Sequence, residues 1–391
     1  MNGKAACAWG GSFTIVLLAV VGGDHYARHH GNPRRAPLHH CPMTRVDGRY
    51  YLGVAANGYA RGDSASPTIA FFPLYPLAIA AITRATGLAA EAAALALSNL
   101  ALLAAFLLVA RRPPEPSGRD RNASYAMTAL AVWPLTFFFR MAYTESILVG
   151  LELLLIMGLR NGWRVWQIAL VAALACAARP TGVALLVPFA WHLWITSRGP
   201  KRGFARLVLW LPVAASGLVA FMAYQYVWFG DATAFLKAQE YWTMRATPPF
   251  WRHLEALLTL EPVWDVYDRG SRAYWRWNAD IGFPLASLNF MNPVFFLGTA
   301  LMIVHGAYRR WLSTPEVLLA AALLFIPWVT HSYRSGMMAH GRYAAVAYPA
   351  YVVLGEYLAR APPTIRWALV TLSAGWMACY AALFAAGFRL V

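Results

Sequence analysis

Thr44-Arg45-Val46-Asp47-Gly48-Arg49-Tyr50-Tyr51-Leu52-Gly53-Val54-Ala55-Ala56-Asn57-Gly58-Tyr59 follows the first apolar run of the chain and sets a carboxylate among cations and aromatic rings. Read as a helix, it puts Tyr50, Tyr51, Val54, Ala55 and Gly58 on one face at spacings of three and four, with Asp47 leading that face. Two readings of Asp47 stand side by side. Thr44 followed three residues later by Asp47 approximates a capping box, in which both side chains satisfy free amides at a helix start. Alternatively, a carboxylate flanked by Arg45 and Arg49 at a positive helix terminus stays ionised, as a base or an electrostatic partner must.

Outward from this stretch the chain is apolar almost throughout. Of its 391 residues, 59% are hydrophobic and only 13% charged, and the mean hydropathy is +0.46. Soluble domains carry about 25% charged residues, so a polytopic membrane protein is expected, all-α and in one domain over 1–391. The net charge of +16 does not indicate nucleic-acid binding. Its Lys and Arg residues fall in short loops between apolar runs, where positive-inside topology and phosphate binding account for them. Cys7, Cys41, Cys176 and Cys379 show no paired spacing, which argues against a disulfide framework or a zinc ribbon. The run from Ser12 to Gly23 has no small-x-small cleavage site after it and reads as a retained first span.

The Arg-rich loops at 111–121, 160–164, 198–206, 309–310 and 360–366 mark one side of the membrane as cytoplasmic. Spans are then expected near 12–25, 90–110, 123–139, 143–159, 165–178, 182–196, 207–228, 285–307, 316–331, 343–359 and 366–387, about 11 crossings in all. Residues 68–86 must not cross, or the parity of the loops fails. Phe71-Phe72-Pro73-Leu74-Tyr75-Pro76 opens that run with two prolines and leaves too few apolar residues before Arg84, so a re-entrant or interfacial helix is expected there. Two outer segments are long enough to matter, 28–68 with Asp47 and 229–280. The second carries Lys237, Gln239, Glu240, Trp242, Arg245, Arg252, His253, Asp265 and Asp268 among aromatics, which suits interfacial helices roofing a cavity. Neither a repeat nor a low-complexity tract is evident.

Three further constellations share that outer side. Glu145, in Ala142-Tyr143-Thr144-Glu145-Ser146, either favours a helix start as first-turn acids do or contacts a polar substrate. Arg179, in Arg179-Pro180-Thr181-Gly182, interrupts an apolar run of some thirty residues. It is either a snorkelling cation or a partner for phosphate. His340-Gly341-Arg342-Tyr343 opens another span behind His331 and Arg334, a cation cluster that faces headgroups or binds an anion. The histidines at 25, 29, 30, 39 and 40 with Cys41 fit no standard zinc pattern, so no metal site is expected.

With these residues in view, the chain resembles the PIG-V-type mannosyltransferases, membrane glycosyltransferases of GT-C architecture that include GPI mannosyltransferase 2. The resemblance runs in order through Asp47–Tyr59, Phe71–Pro76, Ala142–Ser146, Ala238-Gln239 with Trp242 and Arg245, and Arg342-Tyr343. Val46 stands where the family commonly has Trp, Tyr50 where bacterial members often have His, and Arg179-Pro180-Thr181-Gly182 replaces an Arg-Ser-Asn-Gly segment. The stretch from Tyr26 to Thr44 looks like an insertion. The resemblance implies an inverting, metal- and cofactor-independent transfer of a sugar, mannose by family, from a polyprenyl-phosphate donor to a glycan, glycolipid or protein acceptor. It implies the non-cytoplasmic face of a bacterial cytoplasmic membrane rather than of the endoplasmic reticulum. Asp47 is then the base, and Arg179, Arg342, Arg245, Glu145, Tyr343, His340, Arg49 and Gln239 contact the donor phosphate or the substrates. Two rivals remain open, a lipid-linked sugar transporter or flippase and a non-catalytic membrane subunit.

Overall fold

The computed structural model describes residues 2–30, 41–60, 66–111, 123–388 and 390, and every regular element among them is helical. The N-terminal part holds α1 (Asn2–His30), α2 (Asp47–Asn57), α3 (Leu74–Thr86), α4 (Ala90–Ala110), α5 (Ala123–Val132) and α6 (Glu145–Arg160). Next come α7 (Val165–Ala178), α8 (Leu186–Ile195), α9 (Pro200–Ala214), α10 (Ser216–Phe229) and the short α11 (Ala234–Ala238), α12 (Phe250–Leu258) and α13 (Glu261–Asp265). The C-terminal part is α14 (Leu288–Tyr308), α15 (Thr314–Ser335), α16 (His340–Ala345), α17 (Tyr348–Arg360) and α18 (Pro363–Ala385).

Five of these, α1, α4, α14, α15 and α18, are long and apolar enough to cross a bilayer, so the chain is a multi-pass helical membrane protein. Two bent pairs bring the number to seven: α6 with the 3-10 turn Pro134–Arg140 at 98°, and α9 with α10 at 54°. Helix length therefore does not reproduce the expected 11 spans, and the reason is local. The expected span 123–139 stops as α-helix at Val132, because the residue before Pro134 is pushed out of helical geometry, and a 3-10 turn completes the run. The span 182–196 is a 3-10 turn, Pro180–Leu185, followed by α8. The span 343–359 breaks between α16 and α17 ahead of Pro349. The non-crossing segment 68–86 is a 3-10 turn, Pro67–Ala70, and the 13-residue α3. At about 1.5 Å per residue α3 reaches about 20 Å, short of the ~30 Å hydrocarbon core. Residues 112–121 of the first basic loop, and His39 and His40, lie outside the described residues.

Helices this apolar gain little by hiding from lipid, so close contact of small residues holds them together. At the α1–α18 contact, a Cβ on Gly23 would sit 2.1 Å from the Ala382 carbonyl oxygen. A second apolar cluster gathers Tyr51, Phe71, Phe72, Tyr75, Phe221 and Phe235 from α2, α3, α10, α11 and the turn before α3. This cluster fixes α2, and with it Asp47, against the bundle. The segment after α11 is tied to the end of α15 by the amides of Met244 and Arg245, which both donate to the Arg334 carbonyl, at 2.8 and 3.2 Å.

Candidate functional site

Asp47 is the first residue of α2, and the residue before it carries backbone strain. Val46 has φ 56° and ψ −114°, a region that a β-branched residue avoids. Tyr143 spans the strained residue from both sides: its hydroxyl donates to the Arg45 carbonyl at 3.2 Å and receives the Asp47 amide at 3.4 Å. The Ala142 amide bonds to the Met43 carbonyl at 3.0 Å and completes the docking. The capping box does not form. Thr44 Oγ1 donates to the Cys41 carbonyl at 2.9 Å, and α2 has no side-chain cap. The Asp47 carboxylate is instead turned to Arg342, Oδ2 to Nη2 at 2.7 Å.

Glu145 opens α6, so the first-turn reading holds, and the same carboxylate also joins two cations. Its Oε1 lies 3.3 Å from Nε of Arg342 and 3.1 Å from Nη1 of Arg179. The order in space is Asp47, Arg342, Glu145, Arg179, alternating in sign, with side chains between 2% and 16% exposed. Arg179 reaches this position because Pro180 ends α7 and leaves Arg179 extended, at φ −166° and ψ 162°. Aromatic faces enclose the guanidiniums: Arg342 lies 5.2 Å from the Tyr143 ring and 5.9 Å from Tyr343, and Arg179 lies 5.7 Å from Tyr343.

This array opens onto a cavity lined by Asp47, Arg179, Arg342 and Tyr343, with Tyr51, Phe71 and Trp242 as aromatic walls and Gln239, Thr181 and His331 as polar ones. Burial pushes the Tyr51 phenol well above its ordinary pKa, so it stays protonated beside Thr144 Oγ1, 3.3 Å away. Several buried polar atoms here have no hydrogen-bond partner among the described residues: Glu145 Oε2, Thr181 Oγ1 and Arg342 Nη1. Buried polar groups are nearly always paired, so these atoms mark a place for water or a ligand.

Four expected site residues do not line the cavity; Glu145 is one, reaching it only through Arg179 and Arg342, and three lie elsewhere. Arg245 does not line the cavity: it pairs with Asp265 at 2.5 Å and lies 4.5 Å from the Tyr333 ring, so its charge is already neutralised. His340 is fully buried behind the wall, its ring nitrogens facing the carbonyls of Met338 and Pro327 at 3.2 and 3.1 Å. Arg49 is exposed on α2 away from the cavity lining.

The sequence motifs do not single out Tyr143 or His331 as site residues, nor the lining residues Tyr51, Phe71, Thr181 and Trp242. Tyr143 sits in the 142–146 motif two residues before Glu145, whose charge is the motif's evident signal. His331 enters the sequence reading as one of a cation cluster that faces headgroups or binds an anion, whereas the structure places it in the cavity lining. Thr330 Oγ1 has one proton and donates it to the Ile326 carbonyl at 2.8 Å, so it accepts from His331 Nδ1 at 2.7 Å. Nε2 of the same ring faces Gln239 Oε1, 3.3 Å away. Among the described residues no three His, Cys, Asp or Glu side chains gather as a metal-binding set. Compared with protein-family models, curated proteins and solved structures, the chain matches none.

Proposed function

We propose that this cavity transfers a sugar from a polyprenyl-phosphate donor to an acceptor hydroxyl, with inversion and without a metal, in a GT-C-like bundle of about 11 crossings. The single observation behind the reading is the alternating array Asp47, Arg342, Glu145, Arg179 at the wall of one aromatic-lined cavity. The acceptor oxygen attacks the anomeric carbon, the bond from that carbon to the phosphate oxygen breaks, and the electron pair leaves with the lipid phosphate. Asp47 takes the acceptor's proton, and Arg342, 2.7 Å away, holds its carboxylate in place until then. Arg179 and Arg342 face the growing charge on the phosphate, Glu145 holding both in place before the substrate arrives. Tyr51, Trp242 and Tyr343 offer ring faces to the sugar, and Gln239 and His331 offer hydrogen bonds to its hydroxyls.

The crossings beyond seven would come from α5, α7, the 3-10 turn with α8, and α16 with α17, each short or interrupted in helix. The test is purified protein reconstituted with polyprenyl-phosphate mannose and a panel of glycan, glycolipid and peptide acceptors. Mannosylated acceptor with released polyprenyl phosphate is expected. Movement of the intact donor across the vesicle without transfer would make the protein a transporter, and neither event would make it a binding subunit.

A further inference from the structure

A second concavity shares no lining residue with the cavity above. It is a long apolar groove walled by Trp133 beside α5, Phe295 of α14, Leu354 of α17 and Leu369 and Trp376 of α18. The two hydroxyls in its lining are already bonded, that of Ser373 to the Val132 carbonyl at 2.8 Å and that of Tyr357 to His305 Nδ1 at 2.5 Å, so nothing inside calls for a polar guest. Along α18 it runs from Leu369 to Cys379. That is about 15 Å, the depth of one leaflet's hydrocarbon.

The two ends differ. At one end the 283–286 turn is closed off, its Leu285 carbonyl accepting from Trp376 Nε1 at 3.0 Å and from the Tyr380 hydroxyl at 2.9 Å. At the other end Tyr357 lines the groove, bonds through its hydroxyl to His305 Nδ1 at 2.5 Å and packs on Trp311 at 5.5 Å. Arg360 and Arg309 lie over that same Trp311, at 4.4 and 5.5 Å, and Arg310 follows in the chain. All three arginines are exposed, and the carboxylate beside them, Glu356, pairs with Arg360. An apolar slot of one leaflet's depth thus ends in an aromatic shelf with an excess of exposed positive charge.

We infer that the groove holds an anionic glycerophospholipid, with an acyl chain between α5 and α18 and the headgroup phosphate beside Arg309, Arg310 and Arg360. Charge complementarity selects the headgroup, since basic pockets between membrane helices favour acidic lipids over zwitterionic ones. The occupant is not the sugar donor of the proposed reaction, whose phosphate must reach Arg179 and Arg342, and the site stands whether or not that reaction is correct.

The test is photo-crosslinking of the full chain in nanodiscs with phosphatidylglycerol or phosphatidylcholine carrying a diazirine in the acyl chain, followed by peptide mapping. Crosslinks are expected within 129–134 and 369–379, with phosphatidylglycerol favoured about 5-fold or more, on the scale of one surface cation's attraction. The Arg309→Gln/Arg310→Gln double variant lies on the surface and should fold, as size-exclusion elution will show, yet lose that preference. Leu372→Trp, at the open rim of the groove, should lower labelling by both lipids. Equal labelling by the two lipids, labelling elsewhere on the chain, or displacement of phosphatidylglycerol by polyprenyl phosphate would each overturn the inference.

Discussion

Asp47 is held by Arg342 on one side and open to the cavity on the other, and this division makes its role testable. Asp47→Asn keeps the size and a hydrogen-bond acceptor but cannot take a proton. We expect the variant to fold and bind polyprenyl-phosphate mannose while turnover in a direct transfer assay falls by about 100-fold or more. Thr44→Ala is the informative comparison, because Thr44 bonds to Cys41 rather than capping α2. It should cost about 1 kcal/mol of stability and leave transfer intact. Near wild-type turnover in Asp47→Asn would remove Asp47 from the chemistry. Glu145 is a different case, since one buried carboxylate oxygen serves two arginines. Glu145→Gln leaves Arg179 short of a counter-charge and Arg342 with Asp47 alone, and thermal unfolding should show a loss of about 3–5 kcal/mol, as when one partner of a buried pair is removed.

At the scale of elements, the site depends on places where helices stop. Gly182 lies in the 3-10 turn that follows Arg179, and a Cβ there would fall 1.9 Å from the Ala175 carbonyl oxygen of α7. Backbone cannot yield as a side-chain tip can, so Gly182→Ala should cost about 1–3 kcal/mol or more and pull Arg179 away from Glu145. Lower melting temperature together with weaker donor binding is the expected pair of results. Gly53 in α2 has open space around its Cα, so Gly53→Ala should raise stability by about 0.5–1 kcal/mol through helix propensity alone. These two sites also show what was legible beforehand. Pro180 and Gly182 announced a break at Arg179, and the short polar motifs around Asp47, Glu145 and Arg342 stood out against apolar neighbours. Pro134 carried the same signal, but Phe137-Phe138-Phe139 continued the apolar run, and hydropathy does not distinguish a helix from a buried 3-10 turn. Arg245 read as free charge for a similar reason: its partner Asp265 is 20 residues away, and only folding brings them together.

Across the whole molecule the charged groups separate into two poles. On α15, Glu316 at the start pairs with Arg160 at 2.9 Å, whereas His331 near the end lines the cavity. The 15 helical steps from one to the other span about 22 Å. α6 repeats the arrangement, with Glu145 paired to two arginines of the cavity and Arg160 at the far end. The same far pole collects Arg309 and Arg360 around Trp311, while Asp47 and α2 stay with the cavity. Since clustered arginines between spans stay in the cytoplasm, the cavity should open on the opposite face. This can be checked in a variant whose four cysteines are replaced, carrying one new cysteine at an exposed position of either pole. Asn57→Cys, at the end of α2, should react with a membrane-impermeant maleimide added to intact cells. Asn161→Cys, in the turn after α6, should react only once the membrane is permeabilised. Labelling of both from outside would mean that α6 does not carry the chain across. The reverse pattern would place the cavity in the cytoplasm, where a nucleotide sugar would replace the polyprenyl-phosphate sugar as the donor to test.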